Sequence, residues 1–123
     1  MEECLFCKWK NEKEKIILEN ELAFARYDEF AVSKGHILIM TKRHTKDFFS
    51  TTQEEKNAIF ELLDKAKEFI DEKYNPDGYN IGMNCGVPAG QSVMHVHVHL
   101  IPRYNGDVEN PRGGIRGVIP SRQ

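Results

Sequence analysis

The chain has 123 residues, a length that suits one domain (1–123), and 40% of them are hydrophobic, enough for a single modest core. Seventeen Lys and Arg against nineteen Asp and Glu leave a formal net charge of -2, so the composition supplies no basic field for a nucleic acid partner. No run approaches the roughly 18 apolar residues of a membrane span, and MEECLFCKWK lacks the apolar stretch of a secretory signal, so a soluble, cytoplasmic protein with no membrane partner is expected.

In chain order, the first feature is Cys4-x-x-Cys7. Three cysteines suit a reducing compartment better than a disulfide framework, and the close pair points to metal or redox chemistry. The charged segment Lys8 to Lys15 reads as a surface connection. Strand-like stretches follow over Ile16 to Glu19 and Leu22 to Asp28, with a tight turn at Asn20-Glu21. Gly35 precedes His36 to Met40, an apolar run of strand length that reads as a central strand buried on both faces.

Thr51 and Thr52 each stand three residues before a glutamate, Glu54 and Glu55, the spacing of a capping box at a helix start. Ile59, Leu62, Leu63, Ala66, Phe69 and Ile70 then form one apolar stripe of a long helix, which Asn75-Pro76-Asp77-Gly78 ends near Tyr74. Tyr79 to Asn84 and residues 94–101 read as two more strands, separated by the loop from Cys85 to Gln91. Strands gathered around one long helix predict an α+β fold, with a mainly antiparallel sheet of about five strands and the helix on one face. After Arg103 the Gly-, Pro- and Arg-rich tail (about 104–123) shows no period and reads as extended.

His95, His97 and His99 alternate with Val96, Val98 and Leu100, so a strand there projects three imidazoles from one face and sends the aliphatic residues into the core. Side chains two apart on a strand stand roughly 6.5–7 Å from one another, close enough to serve one phosphate group or to share a metal. A neutral imidazole with one nitrogen donating to a fixed acceptor keeps a directed lone pair on the other, which describes a nucleophile. A catalytic three-histidine zinc site is the rival reading of the same strand.

The run Gly90-Gln91-Ser92-Val93-Met94-His95-Val96-His97-Val98-His99 resembles the signature of the histidine-triad family, and Gly35-His36-Ile37-Leu38-Ile39 and Asp28 extend the likeness over nearly the whole chain. Leu100-Ile101-Pro102-Arg103 and the spacing from Asn84 to His97 look more like the dinucleoside polyphosphate hydrolases than the phosphoramidase branch. The resemblance implies an enzyme in which His97 attacks the α-phosphorus of a nucleotide substrate, His99 contacts the phosphate and protonates the departing group, and His36 completes the catalytic hydrogen-bond network. It implies phosphate contacts from Asn84, Gly90, Gln91 and Ser92, and a ribose contact from Asp28. Leu5, Phe6 and Trp9 match positions that sandwich the base.

It also implies one structural zinc per chain, held by Cys4, Cys7, His44 and His95, with no organic cofactor and no metal in the chemistry. A twofold homodimer is implied as well, for which the helix after Thr52 and the strand from Tyr79 to Met83 supply a surface. Arg103, Arg112 and Arg116 are expected to meet the extra phosphates of a long substrate. A nucleoside phosphoramidase and a non-catalytic nucleotide-binding module are the alternatives.

Overall fold

Why the chain turns at residue 52 is visible in its hydrogen bonds. In the computed structural model, which describes residues 4–120, Thr52 accepts from the Glu55 amide and Glu55 Oε1 accepts from the Thr52 amide at 2.9 Å, a complete capping box. From it runs helix α2, Gln53–Tyr74, and Asn75 ends the helix in the left-handed region at φ 50°. A short first helix, α1, spans Leu5–Lys10.

Five strands form one sheet: β1 Leu18–Glu19, β2 Ala23–Tyr27, β3 Ile37–Thr41, β4 Gly78–Gly82 and β5 His97–Arg103. Their order is β1-β2-β3-β5-β4, every pairing is antiparallel, and the α+β architecture is as expected. Asn20 Oδ1 accepts from the amides of Leu22 and Ala23, closing the turn between β1 and β2.

The pleat of β3 divides the core. Ile37 and Ile39 join Ile59, Leu62, Ala66 and Ile70 of α2 on one face, while Leu38 and Met40 join Phe6 and Trp9 of α1 on the other. Both faces are therefore covered, which is why the run from Ile37 to Met40 is uniformly apolar. Cross-strand partners share a face, and Met40 pairs with His97 and Leu38 with His99, so these histidines stand on the α1 side.

Three expectations change. The segment Lys8 to Lys15 is a surface connection only in part. Trp9 is buried against Phe6 at a centroid distance of 5.0 Å, and a six-residue helix followed by a 3₁₀ turn at Lys13–Lys15 is too short to show a periodic stripe. The histidine strand begins at His97 rather than at residue 94 and continues to Arg103; Val96 instead donates its amide to the Thr45 carbonyl, outside the ladder. The tail is not simply extended: positive φ at Gly113 and Gly114 lets it turn into a 3₁₀ helix at Gly114–Val118, beside β4. Residues 1–3 and 121–123, the ends of the expected domain and tail, lie outside the described residues.

Candidate active site and metal centre

His97 sits on the first residue of β5, where the chain enters the sheet, and is 7% exposed. Its Nδ1 lies 2.8 Å from the His95 carbonyl oxygen, which can only accept, so Nδ1 carries the proton and the lone pair is on Nε2. Burial lowers the His97 pKa, partly opposed by that hydrogen bond and by the charge of Asp28.

His99 and His36 form a second fixed pair. The Val32 amide donates to His36 Nδ1 at 3.2 Å, so a neutral His36 carries its proton on Nε2 and donates it to His99 Nδ1 at 3.0 Å. His99 then holds its own proton on Nε2. Burial, with the neighbouring His97 and His36, pushes the His99 pKa down to about 4 against the pull of Asp28. Burial also lowers that of His36, again against Asp28, whose Oδ2 is 3.6 Å from His36 Nε2. Asp28 Oδ1 accepts from the Phe30 amide at 2.8 Å, which leaves the carboxylate anchored at the pocket edge.

A cavity of about 310 Å³ opens in front of these groups, lined by Leu5, Phe6, Trp9, Asp28, Phe30, Leu38, Asn84, Gly90, Ser92, Val93, His97 and His99. Gly90 needs its glycine for a φ of +96°, and its amide is spent on the Val87 carbonyl. Gln91 does not line the cavity. Its buried amide group donates to the Lys46 and Val93 carbonyls and accepts from the Gly86 amide, so it braces the loop rather than offering a donor to a ligand. Phe30 and Val93 were not anticipated as pocket walls. The signal for Phe30 is an aromatic side chain, 75% exposed, two residues after Asp28.

His95 does not line this cavity; its ring, which like that of His97 meets Phe6 on the α1 side of the sheet, belongs to a second group. Its Nε2 donates to the Thr41 carbonyl at 2.8 Å, and its Nδ1 faces the Cys4 and Cys7 sulfurs at 3.5 and 3.6 Å. His44 Nδ1 stands 3.3 Å from Cys7 Sγ. All four ligand atoms lie within 4.8 Å of one another. A tetrahedral zinc with ordinary Zn–S and Zn–N bonds separates S from N by about 3.6 Å, so this group fits such an ion. Burial pushes the His95 pKa down to about 4, which keeps the ring neutral, the form that binds metal. Arg43, next to His44, ties that segment to α2 through both oxygens of Glu55, at 2.7 and 3.0 Å.

Arg103 does not line this cavity. Its Nε and Nη2 donate to the two oxygens of Asp107, each at 2.8 Å, and Nη1 donates to Asn80 at 2.6 Å. Cys85 lies on the loop before Gly86, outside the metal group.

The fold and site define an α+β protein with a buried histidine relay at one cavity and a separate Cys₂His₂ group behind it. The chain belongs to the HIT domain family, whose model matches residues 10–106. An uncharacterised HIT-like protein of Methanocaldococcus jannaschii is 40% identical, over 86% of this chain and 83% of its own. The bis(5'-adenosyl)-triphosphatase of Dictyostelium discoideum is 33% identical, over 85% and 70%. An AP-4-A phosphorylase of Mycobacterium tuberculosis is 29% identical, over 79% of this chain and 50% of that longer one. Among solved structures, a HIT family protein from Bacillus anthracis superposes with a TM-score of 0.80 at 38% identity, covering 86% of this chain and 77% of that one. A Zn-bound histidine triad family protein from Mycobacterium smegmatis does so at 0.76 and 32%, covering 85% and 77%.

Proposed function

We propose that the protein is a nucleotidyl hydrolase or transferase in which His97 Nε2 attacks the α-phosphorus of a nucleoside phosphate derivative. The observation that carries this reading is the bond from His97 Nδ1 to the His95 carbonyl, which directs a neutral lone pair toward the cavity. A nitrogen–phosphorus bond forms as the bond to the departing oxygen breaks. Water or inorganic phosphate then attacks the nucleotidyl-histidine from the opposite side, and His97 leaves as it arrived.

His99 donates the Nε2 proton of its neutral ring in a hydrogen bond to the departing oxygen and so stabilises the negative charge that develops there as the bond breaks. His36 holds the ring and its tautomer. Asp28 accepts from the ribose hydroxyls, Asn84 and Ser92 contact phosphate oxygens, and Phe6 and Trp9 flank the base against Leu5 and Phe30. Zinc at Cys4, Cys7, His44 and His95 is structural and takes no part in bond making.

Dinucleoside polyphosphates are the favoured substrates, on the likeness to the Dictyostelium triphosphatase. The similarity to both that enzyme and a phosphorylase leaves water and phosphate as acceptors for the same intermediate. A kinetic screen of pure protein against diadenosine polyphosphates and adenosine phosphoramidates, with and without inorganic phosphate, tests the reading. No turnover of any of them would overturn it.

A further inference from the structure

We propose that the metal centre positions the nucleophile, so that metal occupancy and nucleotide binding strengthen each other through His95 and Phe6. The inference rests on the nucleotide-binding reading above. It starts from the position of His95, one residue that faces both sites. Its ring nitrogen Nδ1 belongs to the metal group, and its carbonyl oxygen sets the proton on His97 Nδ1 at 2.8 Å.

The place of that carbonyl is set by the local backbone and by the ring. His95 precedes the β5 ladder, and the local backbone is fastened by the His95 amide on the Val93 carbonyl and the Val96 amide on the Thr45 carbonyl. The ring is held by Thr41 at 2.8 Å on one side and by the two thiols on the other. A metal bound at Nδ1 fixes the ring, and the ring fixes the carbonyl.

Phe6 supplies a second route. It lies between Cys4 and Cys7 in the chain, and its ring meets those of His97 and His95 edge-on at 4.8 and 6.0 Å. Helix α1 is six residues long and its Cys4 cap makes no side-chain hydrogen bond, so local helix energy does not secure it. A metal that joins Cys4 and Cys7 to His44 and His95 pins both ends of the segment that forms the pocket wall. His95 is thus a positioning residue, and by thermodynamic linkage the effect runs in both directions.

The test compares zinc-loaded protein, chelator-stripped protein and His44→Ala, each shown to be folded by circular dichroism. His44→Ala removes a ligand while leaving every residue of α1, and His95 itself, unsubstituted. Adenosine monophosphate affinity is read from the fluorescence of Trp9, the one tryptophan of the chain and a pocket wall, and is checked by calorimetry. Emptying the metal site should weaken the affinity by about fivefold or more. Nitrogen NMR should show the His97 ring moving from a single Nδ1-protonated tautomer to a mixture. Equal affinity together with an unchanged ring spectrum would overturn the proposal.

If the loaded protein binds no nucleotide, the functional reading fails, and the ring spectrum alone decides the coupling. If stripping unfolds both the wild type and the variant, cadmium-loaded protein takes their place. A cadmium NMR signal that moves on addition of adenosine monophosphate supports the coupling, and one unmoved at saturation refutes it.

Discussion

His97 and His99 occupy the same face of the same strand, yet their hydrogen bonds give them opposite tasks. One donates inward and keeps a lone pair, while the other accepts inward and keeps a proton. His97→Ala is therefore expected to abolish turnover while the fold and nucleotide binding persist, because the side chain supplies the covalent step. Single-turnover assays and circular dichroism check this, and residual activity within about tenfold of wild type would refute the mechanism. Burial places the His97 pKa below its ordinary 6.5, so the neutral nucleophile is present at and above that pH. The rate should fall only as pH drops through the lowered value, giving kcat/KM an acid limb with its midpoint below 6.5. Alternation in the sequence was enough to single out these histidines, but alternation alone did not divide them between the cavity and the metal group. The division has a local cause: strand geometry begins at His97, and His95, before the ladder, presents its ring to Cys4 and Cys7. Gln91 misled for a related reason, since a polar side chain beside a phosphate loop can serve the loop as well as a ligand.

Helix α2 was the most legible element because its signals agree, from the capping box through the apolar stripe to Asn75 at the end. Helix α1 was not legible, since six residues carry under two turns of pattern and the helix depends on what Phe6 and Trp9 pack against. At the start of α2, Glu55 serves two elements, capping the helix and holding Arg43 beside the metal ligand His44. Thr52→Ala should cost about 1 kcal/mol of unfolding free energy, the usual value of such a cap, measured by urea denaturation. Glu55 also carries a pH signature. The hydrogen bonds from Arg43, and next those from Thr52, hold its pKa below the ordinary 4.5 against its desolvation. Its contribution is thus complete above about pH 4.5 and is lost as pH falls through the lowered folded value. Glu55→Gln should lower the urea midpoint at pH 7, and the gap to wild type should close in acid. A gap that stays constant with pH would show that the carboxylate charge contributes nothing there.

For the whole molecule, sheet order and metal group together decide which surfaces are left for partners and long substrates. One zinc per chain is expected, and its removal should lower the melting temperature; elemental analysis and scanning calorimetry of untagged protein measure both. Strand β4 is an outer strand with Ile81 49% exposed; the resemblance leads us to expect a twofold dimer, and light scattering showing a monomer at micromolar concentration would count against it. The tail bears on substrate choice through its place on the sheet. Gly82 pairs with His99 across the ladder, so the two share a face, and a Cβ on Gly82 would lie 3.8 Å from Ile115 Cδ1. The 3₁₀ helix that carries Ile115 and Arg116 therefore approaches β4 on the side of the histidine relay. Arg103 is engaged by Asp107 and Asn80, and the described part of the tail also carries Arg112 and Arg116. Guanidinium groups there would meet the outer phosphates of a dinucleoside polyphosphate, whereas a phosphoramidate has none to offer. Arg112→Ala combined with Arg116→Ala should accordingly raise KM for a diadenosine polyphosphate several-fold and leave that for an adenosine phosphoramidate almost unchanged. Steady-state kinetics on both substrates decide it: equal effects, or a wild-type preference for the phosphoramidate, would remove the tail from substrate selection.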